Sequence, residues 1–226
     1  MDRIPEPELM NEQTQALAYA DADFSAGDQA VVARFADLFA PDVGAALLDL
    51  GCGPGNISFR LAERFPQARV LGVDGAAAML QIAQARLADE PGRWPALAFA
   101  HGLLGSGGLE PDPPGRFTAL ISNSLLHHLH QPQVLWSALV PLAAPGAAVY
   151  IKDLRRPACP EAVQALRERH LAEAPAVLQR DYVASLHAAF TVAEVRQQLA
   201  DAGLDGQLQV AALDDRYLEV WGRLAG

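Results

Sequence analysis

Glycines and carboxylates follow two apolar runs of the chain, in positions where they could hold a charged small molecule. Residues 47–56 read Leu-Leu-Asp-Leu-Gly-Cys-Gly-Pro-Gly-Asn, an apolar run that opens into a Gly-x-Gly-x-Gly loop. Such glycines let a ligand approach the backbone where side chains would collide with it. Asp49 ends the apolar run as a carboxylate that could hold an ammonium group, directly or through water.

A second acid ends the next apolar run, Val70-Leu71-Gly72-Val73-Asp74. In a βαβ nucleotide site, a carboxylate roughly 20 residues beyond the glycine loop meets ribose hydroxyls, because the two strand ends are neighbours. Gly51 and Asp74 have about that separation. The pattern therefore predicts a nucleotide-type ligand between the glycine loop and Asp74.

The elements that must position these residues alternate between strand and helix. Apolar runs predict strands at 46–50, 69–73, 97–100, 118–121 and 147–151. Helical spacing predicts helices at 57–65, 76–87, 134–142, 161–174 and 191–202, and the final segments 207–212 and 216–221 alternate like paired strands. We predict an α/β fold with a doubly wound, mostly parallel seven-stranded sheet and an antiparallel edge hairpin.

The first part of the chain has a different pattern. Apolar residues at helical spacing precede a break at Pro41 and Gly44, which predicts an N-terminal helical attachment over residues 1–45 and a Rossmann-like domain over 46–226. Tyr19 and Phe24 in the attachment could close over a ligand as a lid, or simply pack. The Gly- and Pro-rich stretch 105–115 is predicted to be a loop.

Composition narrows the partners and the compartment. The chain of 226 residues is 51% hydrophobic, enough for a substantial core, and its formal charge of −10 would repel a nucleic acid. Cys52 and Cys159 lie far apart without metal-ligand spacing, and the N-terminus lacks an apolar leader, so we expect a cytoplasmic protein. Residues 117–151 carry no Asp, Glu, Lys or Arg, but prolines divide them into pieces too short to cross a membrane.

Residues 46–152 resemble the class I S-adenosylmethionine-dependent methyltransferase family, and Leu-Asp-Leu-Gly-Cys-Gly-Pro-Gly-Asn at 48–56 is similar to its first motif. The resemblance implies S-adenosylmethionine as the cofactor. It implies that Gly51 and Gly53 lie against the methionine part and that Asp74 binds both ribose hydroxyls.

The resemblance also implies contacts around adenine and the methionine part. Met79 falls where the family often places an apolar residue against adenine, although an ordinary core methionine explains it equally well. Leu103 stands where the family commonly has an acid that accepts from the adenine amino group. Main-chain groups of Gly102 and Leu103, or the His101 imidazole, could substitute. Asn123, after the fourth predicted strand, is expected to contact the cofactor.

The segment Leu-His-His at 126–128 resembles the family's run that borders the cofactor. We expect His127 to face the reaction centre and to take a proton from a phenol, thiol or amine acceptor, because imidazole titrates near neutral pH. A metal site on His127, His128 and His130 is disfavoured, because adjacent helical histidines point in different directions and no nearby acid completes it.

Three further residues are candidates for binding the acceptor. Arg155 follows the fifth predicted strand and could pair with a carboxylate or phosphate, although a solvated arginine is the alternative. Tyr182 and His187 precede a helix start at Thr191. They could line a substrate pocket, or they could be structural residues whose hydrogen bonds are satisfied within the fold.

These observations predict a methyltransferase acting on a small-molecule acceptor. One alternative is a non-catalytic S-adenosylmethionine-binding protein, because the adenine acid is missing. A less favoured one is an NAD-dependent oxidoreductase, whose Gly-x-Gly-x-x-Gly pattern would place a glycine at Asn56. The tetrapeptide Asn-Pro-Pro-Tyr, which enzymes of this family that methylate amino groups of DNA and proteins often carry, does not follow the fourth predicted strand.

Overall fold

A seven-stranded sheet forms the centre of the computed structural model, which describes residues 1–7, 9, 13–105, 108–110, 113 and 115–225. Its seven strands are β1 (Ala46–Leu50), β2 (Arg69–Asp74), β3 (Leu97–His101), β6 (Phe117–Asn123), β7 (Ala143–Leu154), β8 (Leu208–Ala212) and β9 (Tyr217–Arg223), and β4 (Leu103–Gly105) and β5 (Gly108–Glu110) form a separate two-stranded sheet. The sheet order is β3-β2-β1-β6-β7-β9-β8, parallel except for β9, which runs antiparallel to β7 and β8. The predicted fold is confirmed.

Helices cover both faces of the sheet, as a parallel sheet requires. They are α1 (Gln13–Asp21), α2 (Ser25–Phe39), α3 (Asn56–Arg64), α4 (Ala77–Asp89), α5 (Gln133–Leu142), α6 (Pro160–Leu171), α7 (Ala176–Ala188) and α8 (Val192–Asp201), with a short 3-10 helix at Leu126–His128. On one face Trp136 of α5 is fully buried. On the other face Phe35 of α2 packs with Phe59 of α3 and Tyr150 of β7, so the N-terminal part of the chain shares the core.

Burial explains why the central strands could be read from the sequence. All five residues of β1 are buried, and apart from Asp49 they are apolar, as expected for a strand covered on both faces. The apolar residues hold the strand in the core. Asp49 lies one residue before the end of β1, at the edge of the sheet where ligands of α/β folds bind.

Two elements differ from the sequence prediction. Part of the predicted loop 105–115 belongs to a hairpin, in which Leu103 of β4 pairs with Glu110 of β5 and Leu109 is buried. Its short, glycine-rich strands have little strand propensity of their own. Helix α7 was not predicted, because only three of its described residues, Leu178, Leu186 and Ala188, are buried. The capping box of Thr191 and Glu194 is confirmed at the start of α8.

Within the described part of the chain, no helix has both the length and the apolar character needed to cross a membrane.

Candidate active site

The carboxyl ends of β1, β2, β6 and β7 open into one cavity of about 1090 Å³. That volume is at the upper end of the range for ligand pockets, roughly 300–1,000 Å³. Ten of the predicted site residues line it: Asp49, Gly51, Gly53, Asp74, Met79, Gly102, Leu103, Asn123, His127 and Tyr182. Arg155 and His187 do not line it.

The glycine loop and Asp74 are tied together by backbone hydrogen bonds. Asp74 accepts from the N–H of Gly53 through Oδ2 and from the N–H of Ala76 through Oδ1, both at 2.7 Å. Gly51 has φ +70°, and a Cβ there would lie 2.9 Å from Leu125 Cδ1. The loop is therefore held against the end of β2 with its backbone facing the cavity.

Asp49 is a buried acid without a cation beside it among the described residues. Its side chain accepts a hydrogen bond from the Ser58 hydroxyl at 2.6 Å, and the residue is 1% exposed. Burial raises the pKa of Asp49 to about 7, and Asp74 adds to the rise while Ser58 opposes it. A cationic ligand in the cavity would relieve this cost, because it favours the ionised carboxylate.

Three residues were expected near adenine: Met79, Gly102 and Leu103. Met79 is buried against Ala16 and Ala76, a position that fits both of its interpretations. The N–H of Gly102 donates to the carbonyl of Asp74 at 3.1 Å and is therefore already bonded, and contact of adenine with the main chain of Gly102 or Leu103 stays a prediction. Leu103 is 46% exposed at the cavity wall.

Two further side chains were expected to contact the cofactor, and they lie at the cavity wall and beside it. Asn123 presents a buried Oδ1 that has no hydrogen-bond partner among the described residues. The His101 imidazole contacts the carbonyl of Gly75 at 3.2 Å and is absent from the described lining of the cavity. Asn123 is therefore the better placed of the two to meet a ligand.

His127 lies between two acids. Its Nδ1 lies 2.5 Å from Asp153 Oδ1, while Asp153 Oδ2 accepts from the N–H of Leu126 at 2.6 Å. On the other side, Nε2 is 3.4 Å from Glu6 Oε1, and Glu6 also accepts from the Ser185 hydroxyl. Burial disfavours the imidazolium, but the Asp153 carboxylate outweighs burial and the pKa of His127 is raised.

Both sequence arguments against a metal on the histidine run are wrong. The rings of His127 and His128, in the 3-10 helix, lie side by side, with centroids 4.2 Å apart and planes 34° apart. The missing acid arrives from the N-terminal segment as Glu6. Ligand atoms of Glu6, His127 and His128 lie within 4.8 Å of one another, a set that could hold a metal ion. The absence of a metal stays a prediction.

Arg155 and His187 lie outside the described lining of the cavity, and their roles in binding the acceptor stay predictions. Arg155 Nη2 donates to the carbonyls of Asp214 and Asp215, at 3.0 and 3.2 Å, in the turn between β8 and β9. The Arg155 guanidinium is therefore hydrogen-bonded to this turn of the protein. The carbonyl of His187 accepts from the N–H of Ile4 at 3.0 Å, which places this part of α7 under the N-terminal segment.

The sequence analysis did not single out several residues that line the cavity or act on its lining. They are Glu6, Asp28, Lys152, Asp153, Arg216 and Tyr217. A signal existed for Lys152 and Asp153, which are the first charged residues after the uncharged stretch 117–151. The others come from distant segments, and only folding brings them to the site.

Comparison with known proteins agrees with this geometry. Residues 48–149 match the family model described as a methyltransferase domain. A trans-aconitate 2-methyltransferase of Paracidovorax citrulli is 44% identical over 94 residues, covering 35% of this chain and 36% of the relative. An uncharacterized methyltransferase of Mycobacterium tuberculosis is 33% identical over 115 residues, covering 51% and 53%. The chain thus spans between a third and about half the length of these relatives.

Solved structures share the fold at low identity. A plantazolicin methyltransferase in complex with a triazolic desmethylPZN analog and SAH superposes with a TM-score of 0.67 at 13% identity, covering 95% of this chain and 90% of that one. A SAM-dependent methyltransferase from Aquifex aeolicus gives a TM-score of 0.66 at 15% identity, covering 95% and 99%.

The sheet order and the glycine loop facing an acid at the end of β2 define a Rossmann-like α/β fold. The match to the methyltransferase-domain model, over residues 48–149, includes both the glycine loop and Asp74.

Proposed function

We propose that this protein transfers the methyl group of S-adenosylmethionine to a small-molecule acceptor. The observation that carries the proposal is the single cavity that joins the glycine loop, Asp49 and Asp74 to a chamber lined by His127 and Tyr182. A donor and an acceptor bound there would share one enclosed space.

The residues at the glycine loop fit the proposed cofactor. Asp49 is a buried acid whose ionised form would be favoured by the ammonium group of the methionine part. Asp74 uses its carboxylate to hold Gly53 and Ala76, and its remaining lone pairs suit sugar hydroxyls. Asn123 offers a buried oxygen that lacks a partner among the described residues.

The bound cofactor supplies an electrophilic methyl group on a sulfonium, and the protein must align an attacking atom behind it. Positioning of two reactants can provide much of such a rate acceleration. We propose that α1 and α2 cover the site, since Tyr19 and Phe24 line the cavity and their ring centroids lie 4.8 Å apart. This cover would exclude water from the reacting groups.

We also propose that His127 takes the acceptor's proton where the acceptor has one to lose. Asp153 holds Nδ1 and so leaves Nε2 as the atom that accepts. In the structure Nε2 faces Glu6, so the acceptor would have to approach beside that carboxylate or displace it. Carbon or already ionised acceptors need no such base.

The names of the relatives suggest where to look for the acceptor. Several of them are trans-aconitate 2-methyltransferases, enzymes named for a small tricarboxylate. The acidic surface of this chain also argues against a nucleic acid as the acceptor. We therefore place small carboxylates first in an acceptor panel that also contains phenols, thiols and amines.

Calorimetry with S-adenosylhomocysteine and NADH tests the cofactor assignment. We expect S-adenosylhomocysteine to bind and NADH not to bind. Asp74→Ala should weaken S-adenosylhomocysteine by about 100-fold or more, since hydrogen bonds to a charged group contribute about 1.5–3 kcal/mol each. Asp37→Ala, an exposed acid of α2 outside the cavity, is the matched control and should bind as the wild type does.

The acceptor panel tests catalysis separately. Tight binding of S-adenosylhomocysteine with no methylated product from any acceptor class would favour a non-catalytic cofactor-binding protein. Unchanged affinity in Asp74→Ala would show that the pocket lies elsewhere, and the proposed function would be lost with it.

A further inference from the structure

Two basic side chains line the cavity beside one tyrosine, away from the glycine loop. Lys152 Nζ lies 3.6 Å from the centroid of the Tyr217 ring, and the guanidinium carbon of Arg216 lies 4.8 Å from the same centroid. All three residues line the cavity, and Lys152 is only 7% exposed. A buried ammonium group is therefore present in a protein whose formal charge is −10.

No carboxylate of the described residues forms an ion pair with Lys152 or Arg216. The acids within electrostatic reach of Lys152 are Asp28, Asp153 and Asp214. Asp153 is engaged by His127 and by the N–H of Leu126.

Asp214 and Asp28 also form no ion pair with Lys152 or Arg216 among the described residues. Asp214 accepts from the N–H groups of Arg216 and Tyr217, at 2.9 and 2.7 Å. Burial raises the pKa of Asp28, which weakens it as a counter-ion. Burial, followed by the nearby Arg216, lowers the pKa of Lys152 to about 8, as expected for a cation short of an anion.

A third polar group lies at the same place. The Tyr182 hydroxyl is buried and makes no hydrogen bond of good geometry to the described residues, and the Arg216 guanidinium is its charged neighbour at the cavity wall. A buried polar group whose hydrogen bonds are incomplete is costly in free energy. An ammonium, a guanidinium and a phenol thus converge as donors, a set that suits the oxygens of a carboxylate.

The position of these groups separates them from the cofactor end of the cavity. Asp74 ends β2 and the glycine loop follows β1, whereas Lys152 lies on β7 and Arg216 immediately precedes β9. In the order β2-β1-β6-β7-β9, Lys152 lies two strands beyond β1 and Arg216 three. With strands about 4.8 Å apart, these distances are roughly 10 and 14 Å, in the direction away from Asp74.

We propose that Lys152, Arg216 and Tyr182 form a subsite that binds a carboxylate of the methyl acceptor. This proposal rests on the proposed function, because it takes the glycine-loop end of the cavity as the cofactor end. Arg155 acts as a positioning residue, since its bonds to the carbonyls of Asp214 and Asp215 hold the turn that carries Arg216. The acceptor is accordingly a small carboxylic acid, oriented by its charged end.

Binding of carboxylates can be measured without turnover. We would titrate the protein with mono-, di- and tricarboxylates, including trans-aconitate, and with their uncharged methyl esters, in the presence and absence of S-adenosylhomocysteine. We expect at least one carboxylate to bind and its ester to bind at least about tenfold more weakly. Lys152→Met should weaken the carboxylate at least about tenfold, and Lys152→Arg should restore most of the affinity.

Matched controls separate the subsite from general electrostatics and from misfolding. Arg196→Met removes an exposed cation of α8 that lies outside the cavity, and we expect it to leave carboxylate affinity unchanged. Circular dichroism and thermal unfolding would verify the fold of each variant. Carboxylate affinity should fall as pH rises above about 8 in the wild type and lose this dependence in Lys152→Met.

Three outcomes would overturn the proposal. The first is that no carboxylate binds at concentrations up to about 10 mM, a Kd range that still corresponds to a few kcal/mol. The second is that Lys152→Met and Arg216→Met bind carboxylates as tightly as the wild type. The third is that Lys152→Met weakens S-adenosylhomocysteine but not 5′-methylthioadenosine, which lacks the aminoacyl end; the subsite would then hold the cofactor's own carboxylate.

The proposed function can fail independently of the subsite. If S-adenosylhomocysteine fails to bind while carboxylates bind through Lys152, the cofactor assignment is lost but the anion site stands.

Discussion

The Asp49 carboxylate makes cofactor binding depend on pH at the scale of one residue. Its pKa is raised to about 7, chiefly by burial, so the apo protein at neutral pH holds it only partly ionised. We expect the affinity for S-adenosylhomocysteine to rise as pH increases through about 7, because only the ionised form attracts the ammonium group. Calorimetry between pH 5.5 and 8.5, about one and a half units either side of that pKa, measures this.

The same shift predicts the opposite trend in the stability of the apo protein. A carboxyl whose pKa is higher in the folded than in the unfolded state loses stabilisation as pH rises from about 4 to about 7. Asp49→Asn should weaken both trends, while the buried acids Asp28 and Asp74, whose pKa values are also raised, keep part of the stability trend. 5′-Methylthioadenosine, which lacks the ammonium group, should bind the wild type with a weaker pH dependence. A pH-dependent affinity that persists in Asp49→Asn would assign the titration to another group.

His127 predicts a second pH dependence, in the rate of methyl transfer to an acceptor that loses a proton. Burial lowers the pKa of His127 but Asp153 raises it, and the net effect is a raised pKa, so the imidazole keeps its proton up to a higher pH. The rate should rise with pH as the imidazole loses that proton, because only the neutral ring can act as a base. Asp153→Asn should shift this rise to lower pH, and His127→Asn should lower kcat by about 100-fold. Activity that EDTA abolishes and Zn²⁺ restores would instead favour a metal on Glu6, His127 and His128.

The glycine loop predicts a test at the scale of one element. Gly51 and Gly203 have nearly the same backbone, with φ +70° and +69°, but a Cβ on Gly51 would meet Leu125 whereas a Cβ on Gly203 has open space. In both Ala variants the free energy of unfolding should fall by about 1–2 kcal/mol, or the Tm by roughly 2–8 °C, because alanine disfavours the left-handed conformation. Only Gly51→Ala should also weaken S-adenosylhomocysteine, by about tenfold or more. Equal affinities in the two variants would remove the loop from the binding site.

Elements buried on both faces were predictable and those held by tertiary contacts were not. The predicted strand 46–50 has the observed bounds of β1, because an apolar run of that length fits only a covered strand. The β4–β5 hairpin is short and rich in glycine, so its local signal is weak. Helix α7 follows Pro175 and buries few apolar residues, so its helical pattern is weak in the sequence.

The candidate site shows the same division across the whole molecule. Asp49, Gly51 and Asp74 were predictable, because one motif and one strand end fix them to neighbouring strands. The other end of the cavity combines Lys152, Tyr182 and Arg216 from three separate segments. The sequence predicts Arg155 as the basic residue that binds the acceptor, and it cannot show that the turn at 214–215 accepts hydrogen bonds from the Arg155 guanidinium.

The N-terminal segment predicts how distant parts of the molecule depend on one another. The Arg3 guanidinium donates to the carbonyls of Ala188, His127 and Leu129, at 2.5, 3.0 and 2.9 Å. It also lies 4.0 Å from the centroid of the Phe190 ring. One side chain therefore joins the 3-10 helix of the site to the end of α7, and it brings Glu6 within reach of His127.

Arg3→Ala should lower the free energy of unfolding by roughly 1–3 kcal/mol, a Tm decrease of about 2–10 °C, because buried carbonyls lose a charged donor. Hydrogen exchange should accelerate at residues 126–129 and leave β1 unchanged. Arg64→Ala, an exposed arginine at the end of α3, is the control and should change neither measurement. If exchange at 126–129 stays slow in Arg3→Ala, the N-terminal segment does not hold the histidine run, and Glu6 would have to reach His127 by some other constraint.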